Sequence, residues 1–163
     1  MKKLALMLAA AAAIAAPSAA NAQVTDQGQI EVSATISTIL RFGASSGLSF
    51  GSITPGTAAT GQGSIELIRN VGTVLDFPTA TELGQLSDGT TTLSPSYTCG
   101  VGATATTIST SFSNCSTATL TLSAPASGLT TEYVIFNGSL TAAQTNVTPG
   151  TYSGVITIQA TQN

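Results

Sequence analysis

The chain has 163 residues, with only four basic and seven acidic side chains and no histidine. That excludes the basic footprint by which nucleic-acid binders neutralise phosphate. Serine and threonine fill about a third of the chain beyond residue 22, yet recurring Val, Ile and Thr in alternation exclude the compositional signature of disorder and favour half-buried strands.

Met1-Lys2-Lys3 is a basic head, residues 4–16 form an uncharged apolar run, and Ala20-Asn21-Ala22 is a small-x-small tripeptide. This is the layout of a secretory signal peptide, with cleavage expected after Ala22 and export as the consequence. The competing reading, an N-terminal anchor, fares worse because the run is mostly alanine and shorter than the roughly 20 residues that a span needs. No later segment is apolar for long enough either, so no stable membrane insertion is expected. Removal of residues 1–22 leaves one domain's worth of chain. Its only cations are Arg41 and Arg69, set against seven carboxylates, a net charge of −5. An anionic membrane surface has little to attract, and sparse charge weakens the usual defence of strand edges against pairing.

Residues 23–28 read as a polar lead. Residues 29–37 then alternate, with Ile30, Val32, Ala34 and Ile36 on one face, and residues 38–42 continue that strand or begin another. Residues 48–53 predict a short strand stopped by the Thr54-Pro55-Gly56 turn. Further short strands are expected at 64–68, 71–77, 92–99, 106–112, 118–123 and 132–136. Thr148-Pro149-Gly150-Thr151 is a turn, and residues 152–160 form the last strand, carrying Tyr152, Val155, Ile156 and Ile158. Seven or more short strands between Gly, Pro, Ser and Thr turns predict an all-β sandwich. The Thr-x-Thr run at 117–121 raises a β-solenoid as the alternative, but no fixed repeat supports one.

Cys99 and Cys115, the only cysteines, are expected to form a disulfide in an exported chain. The fifteen residues between them correspond to roughly 3 kcal/mol of stabilisation on chain-entropy grounds. With no histidine beside them, metal binding or a nucleophilic thiol is poorly supported, and no cofactor is expected. The mature chain lacks lysine and histidine as general bases and has no Gly-x-Ser-x-Gly elbow. Paired carboxylates such as Asp76 with Glu82, or Glu31 with Glu66, are the one catalytic arrangement left to weigh. Scattered carboxylates without aromatic platforms read instead as solvated surface, so the expectation is no enzyme. Three glycosylation sequons, beginning at Asn114, Asn137 and Asn146, are what chance supplies in a Ser/Thr-rich chain.

The two ends of the chain together resemble subunits of chaperone–usher pili (fimbrial pilins) and the related spore-coat-U-like secreted domains. The resemblance rests on the alternating 29–37 segment, on Leu48-Ser49-Phe50-Gly51-Ser52-Ile53-Thr54-Pro55-Gly56, and on Pro149-Gly150-Thr151-Tyr152-Ser153-Gly154-Val155-Ile156-Thr157-Ile158. Gly150 lies fourteen residues from the C-terminus, as in many such pilins, whereas Gln162 stands where a penultimate tyrosine is often found. The resemblance implies an immunoglobulin-like β-sandwich (residues 38–163) lacking its last strand, which is supplied in trans. It implies a donor extension (residues 23–37) whose Ile30, Val32, Ala34 and Ile36 fill a neighbour's groove. It also implies a chaperone-contacting C-terminal strand that includes Gly150, Tyr152, Val155, Ile156 and Ile158. The implied partners are copies of the chain or related pilins, a periplasmic chaperone and an outer-membrane usher, with passage through the periplasm to a surface fibre. Two alternatives stay open: residues 29–37 as the first strand of a complete sandwich, and a monomeric secreted domain that binds a surface or glycan.

Overall fold

The computed structural model describes residues 30–76, 83–112, 115, 119–142 and 147–163. The signal-peptide segment, Gln29 and Glu82 lie outside the described residues. The chain divides into two units, Met1–Thr35 and Ile36–Asn163. In the first, residues 30–35 are exposed and carry no strand. The second is all-β, and ten strands are described in it.

They are β1 (Leu40–Ser46), β2 (Ala59–Arg69), β3 (Thr73–Asp76), β4 (Leu86–Ser87), β5 (Thr92–Leu93), β6 (Ser96–Gly102), β7 (Thr110–Ser111), β8 (Leu120–Leu122), β9 (Thr130–Leu140) and β10 (Gln159–Gln162). One sheet runs β1-β2-β9-β6-β7, a second β10-β3-β8, and β4 pairs with β5 as a small ribbon. Every described ladder is antiparallel.

The period-two pattern explains which face each strand buries. β2 and β9 pair along their full length, from Ala59 opposite Leu140 to Arg69 opposite Thr130. Residues directly opposite one another share a face, so Ile65 and Val134 point the same way, as do Phe136 and, across the next ladder, Cys99. Leu67, Val134, Phe136, Cys99 and Val101 meet Leu75 and Leu122 of the second sheet in one buried cluster. The architecture is a β-sandwich. The expected disulfide joins Cys99 in this core to Cys115, with Cα atoms 5.8 Å apart.

Arg69 ties the two sheets together. Its guanidinium is almost fully buried and pairs with Glu132 of β9 at 2.8 Å. It also donates to the carbonyls of Val71 (3.0 Å) and Ser123 (2.6 Å), which flank β3 and β8.

At its far side the first sheet is covered by its own chain. Ile135 points away from the main core yet is fully buried. Residues 103–109 lie over it, brought close because Gly100 and Gly102 have no side chains: a Cβ on either would collide with the carbonyl of Thr110 or Thr107. The strand expected over 106–112 is therefore mostly this covering loop, with only Thr110 and Ser111 in β7.

Residues 48–53 form no strand. Gly51 takes φ +67°, a conformation that glycine alone adopts without strain, and the chain around it leaves any ladder. Leu48 and Phe50 drop onto a strip of β2 and β9 that lacks side chains. A Cβ at Gly63 would sit 2.7 Å from the Leu48 nitrogen, and one at Gly138 would sit 2.6 Å from Phe50 Cζ. The apolar alternation in this segment reports two inserted side chains rather than a pleat.

Candidate functional site

The site is an apolar groove beside the Ser45–Ser46 end of β1. β1 pairs only with β2, with a register irregularity between Phe42 and Ser45, and no described strand is bonded to its other edge. Facing that edge is the C-terminal segment. It is held from behind by Ser87 and Ser153, which exchange backbone hydrogen bonds of 2.9 and 3.1 Å, and by the Gly84 amide, which donates to the Val155 carbonyl at 3.3 Å. Farther on, β10 pairs with β3, from Gln159 opposite Asp76 to Gln162 opposite Thr73. The strand expected over 152–160 is thus an assigned strand only at Gln159–Gln162; residues 154–158 have no ladder on their groove side.

Between these two borders lies a cleft of about 340 Å³. Its floor is Ile65 of β2 and Phe136 of β9; Leu48 and Phe50 supply one wall, and Ile156 and Ile158 the other. Apart from Phe136, these side chains are only half-buried, so the sandwich's own core is open along this line. Among the described residues, no charged side chain lines the cleft. Tyr97 closes one end: its hydroxyl donates to the Gly84 carbonyl at 2.6 Å, and burial raises its pKa above the ordinary value.

The structure brings together only some of the residues singled out in the sequence. Val155, Ile156 and Ile158 border the groove. Gly150 and Tyr152 do not: the Tyr152 hydroxyl donates to the Thr148 carbonyl, and Gly150 lies near Asp88, whose carboxylate is held below its ordinary pKa by the amides of Thr91 and Thr90. Ile30, Val32 and Ile36 are 86–89% exposed, and Ala34 is exposed as well. Of the carboxylates, Glu66 accepts the Ala44 amide at 3.1 Å and Asp76 ends β3. No cluster of three or more His, Cys, Asp or Glu residues that could hold a metal occurs among the described residues.

Residues missed by the sequence reading are Leu48, Phe50 and the glycines beneath them. Gly61 and Gly63 two apart in one strand were the available signal, since paired strand glycines mark close backbone approach.

A second depression is polar. Thr60, Gln62, Thr98, Asn137 and Ser139 line an open concavity on the same sheet. The Gln62 carboxamide donates to Asn137 Oδ1 at 2.7 Å and to the Thr106 carbonyl at 3.2 Å.

No helix among the described residues is long and apolar enough to cross a membrane, and the disulfide is consistent with an oxidising compartment. No family model and no curated protein matches the chain.

Proposed function

We propose that the chain is a non-catalytic structural subunit of a surface pilus or fimbria-like fibre, assembling by donor-strand exchange. One observation carries this reading: the edge of β1 that no described strand bonds ends, at Ser45 and Ser46, beside an apolar groove with no charged side chain among its described lining residues. An extended segment laid there would satisfy the backbone groups of β1 and cover the half-buried side chains in one step. The chain also contains a segment suited to the task, because Ile30, Val32, Ala34 and Ile36 recur at every second residue and are exposed. On this reading the sandwich is an incomplete immunoglobulin-like one. A periplasmic chaperone covers the groove first, an outer-membrane usher directs the exchange, and a neighbouring subunit's extension replaces the chaperone.

The polar concavity at Gln62 and Asn137 favours the second reading, a secreted monomer that binds a neutral glycan through side-chain amides and hydroxyls. The two readings separate on one experiment. A chain lacking residues 23–37 is titrated with a synthetic peptide of residues 23–40 while its thermal midpoint is followed. Burial of each large donor side chain contributes roughly 1.5–3 kcal/mol, so saturating peptide raises the midpoint by many degrees. A peptide carrying Ile36→Asp does not, because a carboxylate would enter an apolar site unpaired. A wild-type chain that stays monomeric at high concentration, together with a truncated chain that ignores the peptide, overturns the fibre reading and leaves the glycan-binding one.

A further inference from the structure

We propose that Asn70 is a latch that holds the root of the N-terminal extension in line with β1, denying the extension its own subunit's groove and reserving that groove for a second copy. The inference rests on the donor-strand reading and adds what makes exchange between copies win over self-insertion.

The need for such a device is quantitative. A donor tethered to its own subunit acts at an effective concentration in the mM range if its linker is short and flexible, and at almost none if geometry forbids the closure. Here the tether is as short as it can be, because the extension runs directly into β1, the strand that borders the groove. Residues 37–39 are the right number for a hairpin loop. Were they to turn, the residues before them would fold back along the free edge of β1.

The structure occupies those three residues otherwise. β2 ends at Arg69 and its backbone turns away, but Asn70 extends the ladder with its side chain. The Asn70 amide donates to the Ile39 carbonyl at 3.0 Å. Asn70 Oδ1 accepts the Ile39 amide at 2.7 Å, and Nδ2 donates to the Ser37 carbonyl at 2.9 Å. The carboxamide thus offers one acceptor and one donor where the next residue of a longer β2 would have offered its peptide groups. Ser37 and Ile39, two residues apart, present their carbonyls to the same neighbour, as alternate residues of a strand do. A reversal farther upstream would have to be built from Ile36 and Ala34, consuming the apolar row itself. Loss of both side-chain bonds shifts the balance between latched and turned forms by about tenfold to a hundredfold.

The test uses the oxidised mature chain, refolded at high dilution, beside Asn70→Ala and Asn70→Asp; the aspartate keeps the acceptor for Ile39 and loses the donor to Ser37. Monomer and polymer are separated by size, and amide exchange over residues 30–36 is followed in the monomer. In the wild-type monomer these amides exchange freely. In Asn70→Ala they slow by about tenfold or more as the segment pairs with β1, and the monomer fraction rises at the polymer's expense; Asn70→Asp falls between. The latch is overturned if residues 30–36 exchange as fast in the Asn70→Ala monomer as in wild type, or are already protected in the wild-type monomer. Should Asn70→Ala fail to fold, the aspartate variant carries the same comparison. A wild-type chain that never polymerises sinks the fibre reading, and the exchange measurement still decides the latch.

Discussion

Removing the Glu132 carboxylate tests whether the tie between the sheets carries the stability its geometry implies. The Arg69 side chain is 5% exposed and that of Glu132 27%, so the pair lies between a surface bridge and a sealed one. Breaking a buried pair costs about 3–5 kcal/mol because the remaining charge is stranded. Water reaching the Glu132 side places Glu132→Leu at the low end, about 3 kcal/mol. Arg69→Met leaves Glu132 unpaired but reachable by water, and it removes the arginine donor from the carbonyl of Ser123, at roughly 1–3 kcal/mol where water cannot replace it, while the Val71 carbonyl keeps the Thr73 hydroxyl. Once the arginine is gone, Glu132→Leu has no partner left to orphan, so the double variant should resemble Arg69→Met alone. The coupling from the cycle is then about 2–3 kcal/mol. Denaturant unfolding of the oxidised monomer measures it, as midpoint shifts at constant slope. A coupling below about 0.5 kcal/mol would place the pair with ordinary surface bridges and refute the idea that it ties the sheets.

Two further outcomes follow from the groove wall. Gly138→Ala places a methyl against Phe50, costing about 1–3 kcal/mol by overpacking and weakening capture of the 23–40 peptide; a variant as stable as wild type contradicts the seating of Phe50. Tyr97 has its folded pKa raised by burial, so the stabilisation its neutral phenol provides is intact below about pH 10 and is lost as pH rises through the folded value. The unfolding midpoint should therefore fall on alkaline titration in wild type, and by less in Tyr97→Phe.

The all-β class was legible because alternation at Ile65 and Leu67, at Val134 and Phe136, and at Cys99 and Val101 reports one buried face in three adjacent strands. The disulfide was legible from the count of two cysteines and the expectation of export. Strand lengths were not. β9 runs on through Asn137-Gly138-Ser139 to Leu140, past the expected stop at Phe136, because ladders on both sides override the local turn preference of those residues. Leu48 and Phe50 mimicked a strand, since period two cannot distinguish a pleat from two side chains dropped onto bare backbone. Of the groove itself, the isoleucines at 156 and 158 could be read in advance. The rest depends on glycines 61, 63 and 138 being brought side by side by pairing, a juxtaposition no local pattern encodes. Asn70 carried no local signal, since its two bonds reach back more than thirty positions along the chain.

The five-stranded sheet ends differently at its two sides. Among the described residues only two pair at β7, and the loop just before that strand folds over the sheet's outer face, whereas the seven-residue β1 bonds β2 on one edge and no described strand on the other. A ribbon that grows by edge-to-edge accretion, as aggregating β proteins do, requires a receptive border at both ends. With one border blunted, copies of this sheet cannot merge into a continuous lateral stack. A protein with only two lysines and four glutamates thus guards this sheet against that fate by shape, and leaves its β1 border as the receptive one.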